Sequence, residues 1–277
     1  MQPMDCEDIE KAAEKLATAG KNREALKEFT KAAGCWKRWE SFSRAAKALE
    51  RAYEHGMLAC EYAEAAMAMT ASGSLWVRYG EHDKFEMNCQ IASEAYVSAA
   101  GAEKNPMYLV DAAFCSITGG DIDMARSLVQ AAIQTTKGKA TGLIDLALML
   151  MEYRFGDAEL MLREVLADQL ERDHYNKMYR AFELVLSGFI RASLESEAAV
   201  SMVSLVESTG IENRKLKRIV TRAIEKGLIP AYYDEETDEL VIDSDRIDVS
   251  TLEKRKGPIL SRDLDDPGAW DMDFDER

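Results

Sequence analysis

Cysteine, proline and histidine are all scarce in this chain of 277 residues, which carries five, five and three of them. The cysteines fall at positions 6, 35, 60, 89 and 115, an odd count with no C-x-x-C pair and none in the second half. That spacing argues against a zinc cage or a disulfide framework and predicts buried, reduced thiols, which points to the cytosol. His55, His82 and His174 stand apart without a partner at i, i+4, so a histidine metal site has no local motif to build on. No G-x-x-x-x-G-K loop and no G-x-S-x-G elbow occurs. The expectation is a chain that is not an enzyme and holds no cofactor and no metal.

Long apolar runs are missing too. The longest, Leu146 to Met151, falls far short of the roughly 20 residues that a membrane span needs. Residues 1–10 are acidic where a signal peptide starts basic, and no Asn-x-Ser/Thr acceptor is present. A cytoplasmic protein with no transmembrane segment is expected. Positive charge is also in deficit: 35 basic against 50 acidic residues give a net charge of -15 and a sequence pI near 4.8. Such a balance opposes non-specific attraction to nucleic acid and predicts partners that are basic or neutral, or that meet a local basic patch.

What the chain has in plenty is alanine at helical spacing. Ala92, Tyr96 and Ala99 recur as Ala125, Val129 and Ala132, then as Ala158, Leu162 and Val165, each copy 33 residues after the last. The same pattern stands in Ala25, Phe29 and Ala32 and in Ala45, Leu49 and Ala52. Small residues let helices approach while the larger one fills the gap, so the pattern predicts antiparallel helix pairs stacked into an all-α solenoid. Glycines mark the expected stops at Gly20, Gly56, Gly73 and Gly101, and Phe155-Gly156-Asp157 is read as a turn. The 47 residues between Ala45 and Ala92 exceed one repeat, so that stretch is expected to be irregular. Trp36 and Trp39 both fall on apolar stripes and are expected in the core.

The run Glu24-Ala25-Leu26-Lys27-Glu28-Phe29-Thr30-Lys31-Ala32-Ala33 and the later run from Ser43 to Tyr53 resemble the tetratricopeptide superfamily. Within it they look most like the soluble attachment proteins, SNAPs, and the resemblance covers about the first 190 residues. It implies an adaptor that brings an AAA ATPase to a membrane-fusion or helical-bundle substrate.

After Glu195 the pattern changes to helix, turn, helix and two β-prone runs, Ala231 to Tyr233 and Leu240 to Ile242. A helix from Ser196 to Glu207 and another from Glu212 to Lys226, followed by a hairpin, predict a winged helix. The stretch from Arg222 to Ala231 resembles the winged helix that closes PCI domains, which implies assembly into a multi-protein complex. The expected organisation is a helical array over 1–195, a winged helix over 196–243 and an acidic tail over 244–277.

Two places could meet a partner. Arg214, Arg218 and Arg222 lie four apart opposite the buried stripe of their helix, with Lys215 and Lys226 beside them, and could face phosphates or an acidic protein. In the tail, Trp270 and Phe274 sit four apart among aspartates, suited either to burial on the array or to a linear motif held by a partner. The function expected is a scaffold whose array and winged helix bind different proteins, with a SNAP-like adaptor or a nucleic-acid-binding regulator as alternatives.

Overall fold

The computed structural model describes residues 3–243 apart from residue 139. Its first nine helices are α1 (Pro3–Thr18), α2 (Asn22–Arg38), α3 (Phe42–Leu58), α4 (Tyr62–Tyr79), α5 (His82–Ala102), α6 (Met107–Thr118), α7 (Ile122–Thr136), α8 (Thr141–Met151) and α9 (Phe155–Met161). Each packs against the next, which makes the region a run of consecutive antiparallel pairs.

One turn, used six times, makes that stacking regular. Gly20, Glu40, Cys60, Gly80, Gly120 and Tyr153 all have positive φ, between 55° and 92°. The following N–H then reaches the carbonyl five residues back, as in Lys21 to Leu16 (2.9 Å), Ser41 to Trp36 (3.1 Å) and Glu81 to Trp76 (2.9 Å). This left-handed closure satisfies carbonyls that the helix end leaves open. The residue that donates also starts the next helix, its carbonyl accepting from Ala25, Ala45, Ala65, Phe85, Ala125 or Ala158. Those five alanines are completely buried. The alanine signature thus marks the first turn of a helix, where the incoming chain lies closest to its predecessor.

The turns fall every twenty residues from Gly20 to Gly80, so α2 to α4 are the most regular part of the array. The expected irregularity between Ala45 and Ala92 is not there, because Ala92 lies in the middle of α5 rather than at its start. Gly56 and Gly73 are not stops. Both sit inside helices, and a Cβ at Gly56 would fall 2.8 Å from the Ala65 Cβ, so glycine is there for close packing of α3 on α4. Gly156 likewise belongs to α9, and the turn precedes it at Glu152 to Arg154.

The thiols also depart from expectation. Cys6 and Cys35 are joined as a disulfide that ties α1 to α2, Cys60 is exposed, and only Cys89 and Cys115 are buried free thiols. The pairing removes the ground on which a fully reduced, cytosolic set of cysteines rested. Trp36 is buried as expected, but Trp39 keeps 44% of its surface exposed because it follows the end of α2. Among the described residues no helix is long and apolar enough to cross a membrane.

Beyond α9 the chain makes one π-helical turn (Leu162–Leu166), then α10 (Ala167–Gln169) and the long α11 (Arg172–Glu197). Next come β1 (Ala199–Ser201), α12 (Met202–Thr209), α13 (Asn213–Glu225), β2 (Ala231–Asp234) and β3 (Glu239–Ile242). The three strands form an antiparallel sheet in the order β1-β3-β2, with Val200 and Tyr233 both paired to Leu240. β1 interrupts the helix expected from Ser196: Ala198, with φ 61°, ends α11, and the Ser201 hydroxyl caps α12 by accepting from the Ser204 N–H at 3.1 Å.

Phe182, Leu186, Ile190 and Leu194 on α11 join the array to this sheet in a continuous core that runs to Leu240. A second core, between Cys6 and Trp76, fills α1 to α4. α4 is common to both, with Ala66 and Met69 in one and Leu75 and Trp76 in the other.

Candidate functional site

Residues of α2 and α4 line a groove of about 710 Å³ that residues of α11 and the end of α13 complete. Helical periodicity puts the lining there. From α2 come Thr30, Ala33, Gly34 and Lys37, at offsets 0, 3, 4 and 7. From α4 come Met67, Thr70, Ala71, Ser74 and Arg78, which continue the same spacing along one face. α11 contributes Asp173, Lys177, Arg180 and Glu183, and α13 contributes Arg222 with Lys226 just past its end. The Arg78 carbonyl lies 3.9 Å from where a Cβ on Gly227 would be, so α4 abuts the turn after α13.

The charge of this groove is opposite to that of the chain. Lys37, Arg78, Lys177, Arg180, Arg222 and Lys226 line it against two carboxylates, Asp173 and Glu183, in a protein of net charge -15. The cations are held in different ways. Glu183, only 6% exposed, receives Lys226 at 2.6 Å and Arg222 at 3.6 Å. The Lys177 ammonium pairs with Asp111 and reaches the Tyr96 hydroxyl at 3.3 Å. The Arg78 guanidinium lies 4.4 Å from the centre of the Phe42 ring, a cation–π contact.

Lys37, Arg78 and Arg180 meet no carboxylate at ion-pair distance among the described residues. Arg180 is an exposed side chain of the groove wall, with Glu183 and Arg78 near enough to act on its charge. Lost hydration lowers its pKa from the ordinary arginine value; Glu183 opposes that shift and Arg78 adds to it. A guanidinium in that position, beside the like charge of Arg78, gains from a carboxylate delivered to it.

The basic row expected on α13 divides. Arg222 belongs to the groove, and Arg218 adjoins it, since both lower the pKa of Tyr179 on α11, which burial raises. Lys215 turns the other way and pairs with Glu159 of α9 at 3.4 Å and with Glu212 at 3.8 Å. Arg214 is exposed, with no carboxylate at ion-pair distance among the described residues. Trp270 and Phe274 lie outside the described residues. Sequence reasoning missed Lys37, Arg78, Lys177 and Arg180, although Lys177 and Arg180 stand three apart on one helix face.

Other chemistry finds less support. Cys89 and Cys115 have thiols pushed up by burial to about 12 and about 11, the reverse of what activates a nucleophile. A smaller cavity of about 340 Å³ between Val77, Phe85, Leu184 and Phe189 is lined mainly by apolar groups, and its cation, Arg191, contacts His82 and Glu86. Among the described residues no cluster of His, Cys, Asp and Glu is placed to hold a metal ion. No protein-family model matches this chain, and no curated protein is similar to it in sequence.

Proposed function

We propose that the chain is a non-enzymatic interaction scaffold whose groove receives an acidic segment of a partner protein. The observation that carries this is the gathering of six cationic side chains against two carboxylates in one groove of an acidic chain. A groove with basic walls in a chain of net negative charge suits an extended or helical peptide. It suits a nucleic-acid duplex poorly, because phosphates beyond the groove would meet carboxylates. Met67, 54% exposed among Ala33, Ala71 and Leu75, offers an adaptable apolar floor for a side chain of the same segment.

The order α11, β1, α12, α13, β2, β3 supports a winged helix at the end of the array, as in the PCI-like arrangement. In this proposal that end holds a second protein, so that two partners share one scaffold. A SNAP-like adaptor serving an AAA ATPase is a narrower form of the same proposal.

The test is fluorescence anisotropy with a fluorescein-labelled Asp/Glu-rich peptide carrying one Trp and one Phe, titrated with the full-length chain. Salt-sensitive binding that falls tenfold or more in R78E/R180E supports the proposal. Equal binding by that variant overturns it, and so does tighter binding of single-stranded RNA or duplex DNA than of the peptide.

A further inference from the structure

The groove lies beside the point where the chain leaves the described fold. β3 ends at Ile242, and the Asp243 N–H donates to the Pro230 carbonyl at 3.0 Å. Pro230 is four residues past Lys226, one of the groove's cations. The chain therefore departs next to the end of α13 that carries Arg222 and Lys226.

The last residues of the sequence carry the complementary chemistry. Residues 262–277 contain seven side-chain carboxylates and two arginines, with Leu264, Trp270 and Phe274 among them. The 18 residues from 244 to 261 can span up to about 60 Å at ~3.3 Å each, so reach is no obstacle. We propose that the acidic, aromatic end of this chain, residues 262–277, docks in cis in its own groove and competes there with acidic partners. Its carboxylates meet Arg78, Arg180 and Lys37, which have no carboxylate of their own among the described residues, while an aromatic side chain covers Met67. The inference rests on the groove's being a site for acidic segments.

Tethering makes even weak docking effective. A segment held at an effective concentration on the order of 1 mM, with an intrinsic Kd of about 0.1 mM, weakens a competing peptide about 10-fold. A partner must therefore exceed that threshold before it binds, and the groove selects against generic acidic surface.

Zero-length carbodiimide cross-linking of the dilute full-length protein tests the proposal, with ¹⁴N- and ¹⁵N-labelled chains mixed. The Lys226–Glu183 pair, at 2.6 Å, is the internal control. Expected are amide links from Lys37, Lys177 or Lys226 to carboxylates within 263–276, confined to single-isotope products, lost in R180E and kept in R180K. Recovery of the control link with none to this segment overturns the proposal, as do links only between isotopes, which place the segment in a second copy.

The labelled acidic peptide separates this outcome from failure of the groove itself. It is titrated against wild type and against a full-length variant carrying Asp271→Asn, Asp273→Asn, Asp275→Asn and Glu276→Gln. About tenfold tighter binding by the variant supports cis docking. Equal, measurable binding by both overturns cis docking and leaves the groove's function standing, whereas binding by neither overturns the groove's function.

Discussion

Truncating Glu50 should destabilise the fold by about 3–5 kcal/mol, because three helices meet at one of its oxygens. Glu50 on α3 accepts from the Trp76 indole N–H at 2.6 Å and the Ser72 hydroxyl at 3.2 Å, both on α4, and from the Asn88 amide at 3.2 Å on α5. All three donors are buried, with exposures of 2%, 0% and 1%. In Glu50→Ala the indole N–H and the serine hydroxyl lose that acceptor, while Asn88 keeps its 3.0 Å bond to the Ser72 oxygen. A hydrogen bond to a charged group contributes about 1.5–3 kcal/mol, and a buried donor left unpaired costs about 1–3 kcal/mol. The three bonds share one oxygen and do not add, which sets the total nearer two bonds than three. Glu50→Gln keeps an oxygen in place and should lose only about 1–2 kcal/mol. Urea unfolding followed by far-ultraviolet circular dichroism measures both, with the slope m checked for constancy. Because α4 also carries Arg78, the alanine variant should bind the acidic peptide more weakly under native conditions. A Glu50→Ala protein within about 1 kcal/mol of wild type, or no worse than Glu50→Gln, would refute the reasoning.

A methyl group at Gly156 would lie 2.5 Å from the Gly210 carbonyl oxygen, backbone against backbone, so Gly156→Ala should destabilise by about 2 kcal/mol or more and loosen residues 199–242 first. Urea midpoints and hydrogen exchange check this, and a loss under ~0.5 kcal/mol would show that α9 and α12 do not meet this closely. Iodoacetamide at pH 8 should label Cys60 in the folded protein, and Cys89 and Cys115 only after unfolding, as mass spectrometry will show. Burial raises both buried thiols, to about 12 and about 11, so their contribution is intact below the ordinary thiol range and is lost as pH rises toward those values and unfolded thiols ionise. Reduction of Cys6–Cys35, which spans 29 positions, should cost about 3–4 kcal/mol by chain entropy, and an unchanged urea midpoint in reductant would count against the bond.

The helical stacking was legible in the sequence because alanine has a structural job at a fixed distance from a fixed turn. The phase was misread because Ala92, Ala125 and Ala158 are equally spaced but not equivalent: Ala125 and Ala158 open their helices, while Ala92 lies halfway along α5. The turns themselves were hard to see, since glycine occupies the left-handed position at Gly20, Gly80 and Gly120, whereas Glu40, Cys60 and Tyr153 occupy it elsewhere. Glycine as a stop signal failed at Gly56 and Gly73 for the converse reason. There the residue is chosen for the missing side chain rather than for its backbone freedom, as the 2.8 Å approach of Ala65 shows. The disulfide was invisible to spacing, because Cys6 and Cys35 become neighbours only when α1 folds back on α2.

The groove escaped sequence reading because its charge is assembled from helices that lie far apart along the chain. Lys37, Arg78, Arg180 and Arg222 are each, on their own helix, an ordinary exposed cation. Only the curvature of the array brings α2 and α4 opposite α11 and α13. Like charges brought together in this way repel, and the fold offsets part of the repulsion with Glu183, buried under Arg222 and Lys226, and with Asp111 beside Lys177. The offset is incomplete because Glu183 is committed at the α11–α13 end, so Arg78 and Arg180 retain their mutual repulsion. A ligand carboxylate that relieves it gains the Coulomb attraction to both guanidinium groups. Affinity for acidic segments therefore follows from where the counterions are placed, while the net charge of -15 on the whole chain opposes non-specific attraction of other polyanions.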